Sequence, residues 1–385
     1  MTPDGFPVVG IVGGGQLARM MIQAAIPLGI HIRLLSERAD DSAARVCTEV
    51  VIGSPDSIDD LVNFAAGCDA VTLDHELVNL DALERIEAAG GVVRPGPFTL
   101  AFAKDKAHQR REFAAAGLPV PEFAEVTTAE EIEAFASRLG GWPVVVKAQR
   151  GGYDGRGVWV VDSPEGADEL AAEAAERGVA LITERFVRIK NELAVLVARR
   201  PGGQMVVYPV VETVQRDGIC HEVLAPAPVP PDVVERALAI GLRVADLTCA
   251  TGIVATELFW SEGDEVLINE IATRPHNSGH FSIDGAQTSQ FANHLRGVLD
   301  WPLGDTSLLA PAVVMANLLG ADSESLAPRM AAALRQPAPG VHPHLYGKGV
   351  RPGRKLGHVN ALGDDPVETR ERAVRAAAVL TGRAE

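Results

Sequence analysis

The chain has 385 residues, 47% hydrophobic and 22% charged, which describes a protein that buries a core and excludes a disordered one. A formal net charge of −16 excludes the broad basic face that duplex nucleic acid or an anionic membrane would require, but leaves room for small anionic substrates in a local cationic pocket. The start "MTPDGFPVVG" has no secretory pattern, no run of about 18 apolar residues occurs, and Cys47, Cys68, Cys220 and Cys249 form no CxxC pair. The expectation is therefore a cytoplasmic protein of two or three domains, without a zinc site or disulfide framework.

Residues 8–100 alternate in the α/β manner. "VVGIV" predicts a buried strand, "GGG" a turn, "QLARMMIQAAIPLG" an amphipathic helix, and "IHIRLLS" and "CDAVTLDHE" further strands: the opening of a doubly wound sheet. "GGGQLA", Gly13–Ala18, fits G-x-G-x-x-A, and Glu37 stands where a dinucleotide fold places its ribose-binding acid. Alone the motif is open between a packing turn, a phosphate or ribotide site and an NAD site, because any anion can rest on a glycine turn at a helix N-terminus.

A helix is expected at "KDKAHQRREFAAAG", closed by Gly117. "KAQRGGYDGRGVWVV", Lys147–Val161 without its flanks, then joins strand to strand through a glycine loop, unlike a Walker A loop, which leads into a helix. Such a loop can fold over polyphosphate, offering backbone N–H groups, with Lys147 as a point charge; the plain alternative is a hairpin tip. "SPEGADELAAEAAERG" predicts a helix from N-cap Ser163 to Gly178, followed by strands at "ALITERFV" and "ELAVLVAR". A proline-rich connector and the helix "VVERALAIGLRVADLT" come next.

"ATELFWSEGDEVLINEIAT" predicts a hairpin with Gly263-Asp264 as a two-residue turn. That register sets Glu257 directly opposite Glu270, with Ala255, Phe259, Ile268 and Ala272 on the same face and Asn269 on the other side of the pleat unless a bulge intervenes. Facing carboxylates about 5 Å apart repel, so a cation belongs between them, and Mg²⁺ held by carboxylates and substrate phosphates meets that demand; the plain alternative is a solvated acidic face. "TRPHNSGH" adds Arg274, His276, Asn277, Ser278 and His280, and "YGKGVRPGRKLGH" gathers Lys348, Arg351, Arg354, Lys355 and His358, a candidate pocket for an anionic substrate or a solvated basic loop. An alanine-rich helix is expected at the end.

Together, "GGGQLARM", "RGGYDGRG", "LINEIATRPHNSGH" and "RPGRKLGH" resemble the ATP-grasp superfamily and, within it, the 5-(carboxyamino)imidazole ribonucleotide synthase family of purine biosynthesis, over nearly the whole chain. The resemblance implies an α/β and α+β architecture: a doubly wound pre-ATP-grasp domain over 1–103, an ATP-grasp domain over 104–300 with a mobile subdomain at about 120–190, and a small C-terminal domain over 301–385. It implies that ATP phosphorylates bicarbonate to carboxyphosphate, that the exocyclic amine of 5-aminoimidazole ribonucleotide is then carboxylated, and that the enzyme is a homodimer. It implies Lys106, Lys147, Gly152, Tyr153, Asp154, Gly155, Arg156, Gly157 and Val158 on ATP, with Glu184, Arg185, Phe186 and Val187 at the adenine, Glu192 at the ribose and Gln215 near the nucleotide. Glu257 and Glu270 would ligate Mg²⁺ beside Asn269. Gln16, Leu17, Glu76, Arg274, His276, Asn277, Ser278, Lys348, Arg351 and Lys355 would meet the ribotide. Tyr153, Asp154, Arg156, His276, Lys348, Arg354 and Lys355 would serve the chemistry, with Asp154 or a phosphate accepting the amine proton. Ala148-Gln149 and Asp74-His75 depart from the family pattern. Rival readings are another ATP-grasp ligase, such as a formate-dependent phosphoribosylglycinamide formyltransferase, an NAD-dependent oxidoreductase, and a nucleotide sensor without turnover.

Overall fold

The computed structural model describes residues 5–151, 157–321, 325–335 and 340–383. Near the N-terminus, β1 (Val8–Val12), β2 (His31–Ser36), β3 (Glu49–Ile52) and β4 (Ala70–Leu73) form a parallel sheet in the order β3-β2-β1-β4. Both faces are covered, one by the helix Gln16–Ala25 through Leu17, Ala18 and Met21, the other by the helices Ile58–Ala65 and Leu80–Ala88 through Leu61, Phe64 and Leu83. The strand order reverses at β1, so the C-terminal ends of β1 and β4 open a crevice, where α/β sheets bind ligands.

A second, antiparallel sheet runs β5-β8-β6-β7, from β5 (Phe123–Val126), β6 (Val144–Ala148), β7 (Val158–Val161) and β8 (Leu181–Arg185). Alternation divides its faces. Val144 and Val146 enter a core with Ile132, Phe135 and Leu170 of the overlying helices, while Val145 and Lys147 point the other way, into a cavity.

The largest sheet has nine strands: β9 (Ile189–Arg199), β10 (Met205–Val207), β11 (Val211–Arg216), β12 (Ile219–Ala225), β13 (Gly252–Ser261), β14 (Val266–Ala272), β15 (Ala312–Leu319), β16 (Val341–Leu345) and β17 (Lys355–Gly363). Its order is β14-β13-β9-β11-β12-β15-β17-β16, with β10 on β9. The segment beyond residue 300 thus adds three strands to the sheet that carries Glu257 and Glu270. The terminal helix Pro366–Thr381 lays Ala373, Ala376, Ala377 and Leu380 on β15 and β17, and its alanines allow close approach. The helix Pro231–Leu247 packs on β9 and β13 through Val233, Ala237, Ile240 and Val244. Among the described residues, no helix is long and apolar enough to cross a membrane.

Candidate active site

The three sheets converge on one cavity of ≈ 720 Å³. Gln16, Leu17, Glu76, Lys106, Lys147, Val158, Glu184, Arg185, Phe186, Val187, Glu192, Gln215, Glu257, Asn269, Glu270, Arg274, His276, Asn277, Ser278 and Lys355, all singled out from sequence, line it. Gly157 begins the return into β7, its N-terminal neighbours Gly152, Tyr153, Asp154, Gly155 and Arg156 lying outside the described residues. Lys348, Arg351 and Arg354 stand off the wall: Lys348 Nζ donates to Gln16 Oε1, Arg354 Nη1 donates to the Gly349 carbonyl at 3.2 Å, and Arg351 is exposed.

The carboxylate pair arises from two compensating departures from the expected hairpin. The turn holds three residues, Glu262-Gly263-Asp264, with Asp264 left-handed at φ 63°, rather than two. That shifts the pairing by one, as in Leu258 opposite Ile268. A bulge at Asn269 shifts it back, so Glu257 does oppose Glu270. The bulge also turns Asn269 toward the cavity and sends Ile268, expected on the carboxylate face, into the core with Leu258 and Trp260. Glu192 on β9, opposite Phe259, adds a third carboxylate to this wall.

Burial, Glu270 and Glu192 together push the Glu257 carboxyl up to about 8, and burial and Glu270 push Glu192 up to about 7. Burial also raises Glu270, but Lys106, 2.8 Å away, outweighs it and holds that carboxyl below its usual value. Glu257 therefore keeps the shared proton, 3.2 Å from His276 Nε2, whose imidazole burial and Arg274 push down to about 4. The facing pair Glu257 and Glu270 offers carboxylate oxygens of the kind a hard ion such as Mg²⁺ takes, while among the described residues no three acidic or histidine side chains converge on one metal position.

Opposite lies a cluster centred on Arg110, a residue that no sequence pattern announced. Arg110, 1% exposed, donates to Glu184 Oε1 at 2.9 Å and to the Asn269 carbonyl at 2.5 Å; Lys147 donates to Glu184 Oε2 at 2.8 Å and to Asn269 Oδ1 at 3.2 Å. Burial raises Glu184, but Arg110 and Lys147 outweigh it and hold the carboxyl at about 2. Burial pulls the Lys147 ammonium down against Glu184. The Glu184 carboxylate thus fixes two cations, and Phe186 of the same segment joins an apolar surface beside it. Phe186, Val158, Val160 and Ile189 are 37%, 39%, 60% and 42% exposed, and all face the cavity. Exposed apolar side chains inside a cleft suit a flat base.

At the other end, Glu76 accepts from Arg274 Nε at 2.6 Å and from the Thr273 N–H at 3.3 Å, joining the first sheet's crevice to β14. Gln290 was missed from sequence: its Oε1 accepts from the His276 N–H and its Nε2 donates to the His276 carbonyl, holding the histidine loop by its backbone. Gly279 passes so close to Gln290 that a Cβ would lie 2.5 Å from Oε1.

The N-terminal glycine turn is already filled. Asp74 Oδ2 accepts from the Gly15 N–H at 2.9 Å, and Oδ1 from Ala18 at 2.7 Å. A Cβ on Gly15 would lie 2.1 Å from Asp74 Oδ2, and one on Gly14 2.2 Å from Ser36 Oγ. The glycines admit the protein's own carboxylate to the helix N-terminus, where a dinucleotide pyrophosphate would otherwise bind, which removes the basis of the NAD reading.

Three family models tile the chain: a ribonucleotide synthetase preATP-grasp domain at 7–104, an ATP-grasp domain at 111–291 and a phosphoribosylaminoimidazole carboxylase C-terminal domain at 313–372. The N5-carboxyaminoimidazole ribonucleotide synthase of Mycobacterium bovis is 48% identical over 96% of this chain and 87% of its own length. The solved N5-carboxyaminoimidazole ribonucleotide synthetase of Thermus thermophilus superposes with a TM-score of 0.86 at 36% identity, covering 98% of this chain and 99% of its own. The enzyme of Aspergillus clavatus, solved with ADP and 5-aminoimidazole ribonucleotide, gives 0.88 at 30% identity, covering 98% and 99%. This chain belongs to the N5-carboxyaminoimidazole ribonucleotide synthase family of ATP-grasp enzymes.

Proposed function

We propose that this chain carboxylates the exocyclic amine of 5-aminoimidazole ribonucleotide, using ATP and bicarbonate, in de novo purine biosynthesis. The observation that carries the reading is one cavity with facing Glu257 and Glu270, Lys106 and Lys147 on one side, and Arg274, His276 and Lys355 on the other. That is two anion-binding ends about a cation site, as a ligase for a nucleotide and a ribotide needs.

Mg²⁺ held by Glu257 and Glu270 would screen charge on the transferring phosphoryl group. Lys147 and Lys106, pinned by Glu184 and Glu270, hold their ammonium groups toward the phosphates. The apolar wall at Val158, Val160 and Phe186 seats the base, with Glu192 toward the ribose and Gln215 alongside. Arg274, oriented by Glu76, and Lys355 hold the ribotide or the carboxyphosphate, and neutral His276 donates or accepts a hydrogen bond there. Tyr153, Asp154 and Arg156 would complete the site from the glycine loop, with Asp154 or a phosphate taking the amine proton. Excluding water protects carboxyphosphate, which hydrolyses readily.

The decisive experiment measures ADP release with ATP, Mg²⁺ and bicarbonate, with and without 5-aminoimidazole ribonucleotide. Strong dependence on the ribotide is expected. ADP release that ignores it would redirect the search to glycinamide ribonucleotide with formate. The reading extends to a cytoplasmic homodimer. Phe98, 62% exposed, and Leu77, 61% exposed, offer apolar surface for that dimer to cover, which sedimentation would test.

A further inference from the structure

In a dinucleotide fold the acid at the end of the second strand holds a ribose. Here that acid, Glu37, is exposed, and the loop running from it to β3 holds the protein's own chain instead. Ser42, 7% exposed, donates from Oγ to the Tyr346 carbonyl at 2.5 Å, and Arg45 Nη1 donates to the Gly347 carbonyl at 3.0 Å. The same loop grips the first helix. The Ala43 N–H donates to the Gly14 carbonyl at 2.9 Å, and Arg19 Nη1, from the helix Gln16–Ala25, donates to the Ser42 carbonyl at 2.8 Å.

Residues 347–354 lead from Tyr346 to β17 and are tied on both limbs. Tyr346 belongs to the core that Leu17 and Met21 of the first helix enter, and its N–H donates to the Leu356 carbonyl at 2.9 Å. On the other limb the Gly320 N–H donates to the Arg354 carbonyl, and the Gly353 N–H to the Gly320 carbonyl, both at 2.9 Å. A Cβ on Gly320 would lie 2.1 Å from the Arg351 carbonyl oxygen, so a glycine is needed for this approach. A segment held in this way presents Lys348 at one place, where its ammonium donates to Gln16 Oε1. An ammonium only donates, so the contact settles the Gln16 amide. The oxygen faces Lys348, and Nε2 is left for the cavity that Gln16 lines.

We propose that Ser42 and Arg45 form a seat that sets Lys348 against Gln16, and that Lys348 is a positioning residue that turns the Gln16 amide N–H groups toward the ribotide. The proposal rests on the function given above. Lys348 stands off the cavity wall and Gln16 lines it, so the lysine acts on the ribotide through that amide rather than by touching it. The phosphate and hydroxyl groups of a ribotide accept hydrogen bonds, which suits an amide presenting its N–H side. Without the lysine the amide can present its oxygen instead, which repels a phosphate. Without the seat, residues 347–354 keep their tie to Gly320 and Leu356 but lose the one that fixes Lys348 over the helix N-terminus.

The test measures ribotide-dependent ADP formation for Ser42→Ala, Arg45→Gln and Lys348→Met, each alone and each combined with Gln16→Ala. Each seat variant is expected to raise the KM for the ribotide about three- to tenfold, the range of one hydrogen bond, with kcat and the KM for ATP nearly unchanged. Lys348→Met is expected to raise it about tenfold. In the Gln16→Ala background none of the three is expected to add a further rise, because all act through that amide. An unchanged KM for the ribotide in folded seat variants overturns the seat. Losses that multiply in the double variants overturn it too: for Ser42 and Arg45 they mark a general weakening of the fold, and for Lys348 a direct contact with the ribotide. Where Ser42→Ala does not fold, Arg45→Gln, at an exposed side chain, decides. Wild-type enzyme lacking ribotide-dependent ADP formation overturns the function and the seat together, whereas unaffected variants overturn the seat alone.

Discussion

Glu257→Gln separates the cation site from the fold. In the free protein Glu257 holds a proton up to about pH 8, because burial and two neighbouring carboxylates oppose its charge. The unfolded chain loses that proton near its ordinary value of 4.5. Between these limits the folded state binds more protons than the unfolded one, so stability falls as pH rises from 4.5 through 8. At roughly 1.4 kcal/mol per unit, the whole fall is about 5 kcal/mol, of which about 3 kcal/mol has accrued at neutral pH. Glutamine has nearly the same shape and no proton to lose. The variant is therefore expected to unfold at higher urea than wild type at neutral pH, with the gap widening toward pH 9 and vanishing near pH 4. Its ribotide-dependent ADP formation is expected to fall by about 10²–10³, the scale of losing one preorganised charge contact. Urea midpoints across that pH range and an ADP assay decide the matter. A pH-independent gap, or destabilisation at neutral pH, would show that Glu257 is not the protonated acid, and near-normal turnover would refute the Mg²⁺ assignment.

Glu270→Gln is expected to abolish Mg²⁺-dependent turnover while the protein stays folded, measured by ADP release and circular dichroism; a near-normal rate counts against it. Lys355→Ala is expected to raise the KM for the ribotide about tenfold or more and leave ATP binding nearly unchanged, on the scale of one hydrogen bond to a charged group. Glu184→Gln should cost about 3–5 kcal/mol, because Arg110 and Lys147 then share no carboxylate. Since Glu184 is held at about 2, its contribution is present above its unfolded value of 4.5 and is lost as pH falls through 2, so the urea gap from wild type must narrow in acid. Gly15→Ala should lower stability by about 1–3 kcal/mol through collision with Asp74, and an unchanged melting midpoint would refute the packing role.

The sequence made the first sheet legible because its strands and helices are adjacent in the chain and their apolar periods are clean. It made the facing glutamates legible through a hairpin, although the turn length was misjudged by one residue and the bulge at Asn269 corrected it. Neither error is visible locally, since Asp264 tolerates a left-handed backbone and the bulge depends on what Asn269 bonds to across the cavity. Arg110 was illegible for a different reason. It lies on a helix of low amphipathicity, and only a carboxylate 74 positions away makes its burial favourable. The addition of β15–β17 to the central sheet rests on pairing between residues 222–225 and 313–316, a distance over which no periodicity speaks.

Glu184 and Lys147 ride on the small four-stranded sheet, whereas Arg110 and Asn269 belong to the body beneath it. A shared buried charge cluster between two bodies behaves as an axle. Pulling Glu184 from Arg110 would strand a buried guanidinium at about 3–5 kcal/mol, so any swing of the small sheet turns about these atoms rather than lifting them apart. Rotation about β8 would move β7, at the sheet's far edge, through the widest arc. Val158 and Val160, the β7 part of the apolar wall, would travel with it, so that wall would close on a base only in part of such a swing.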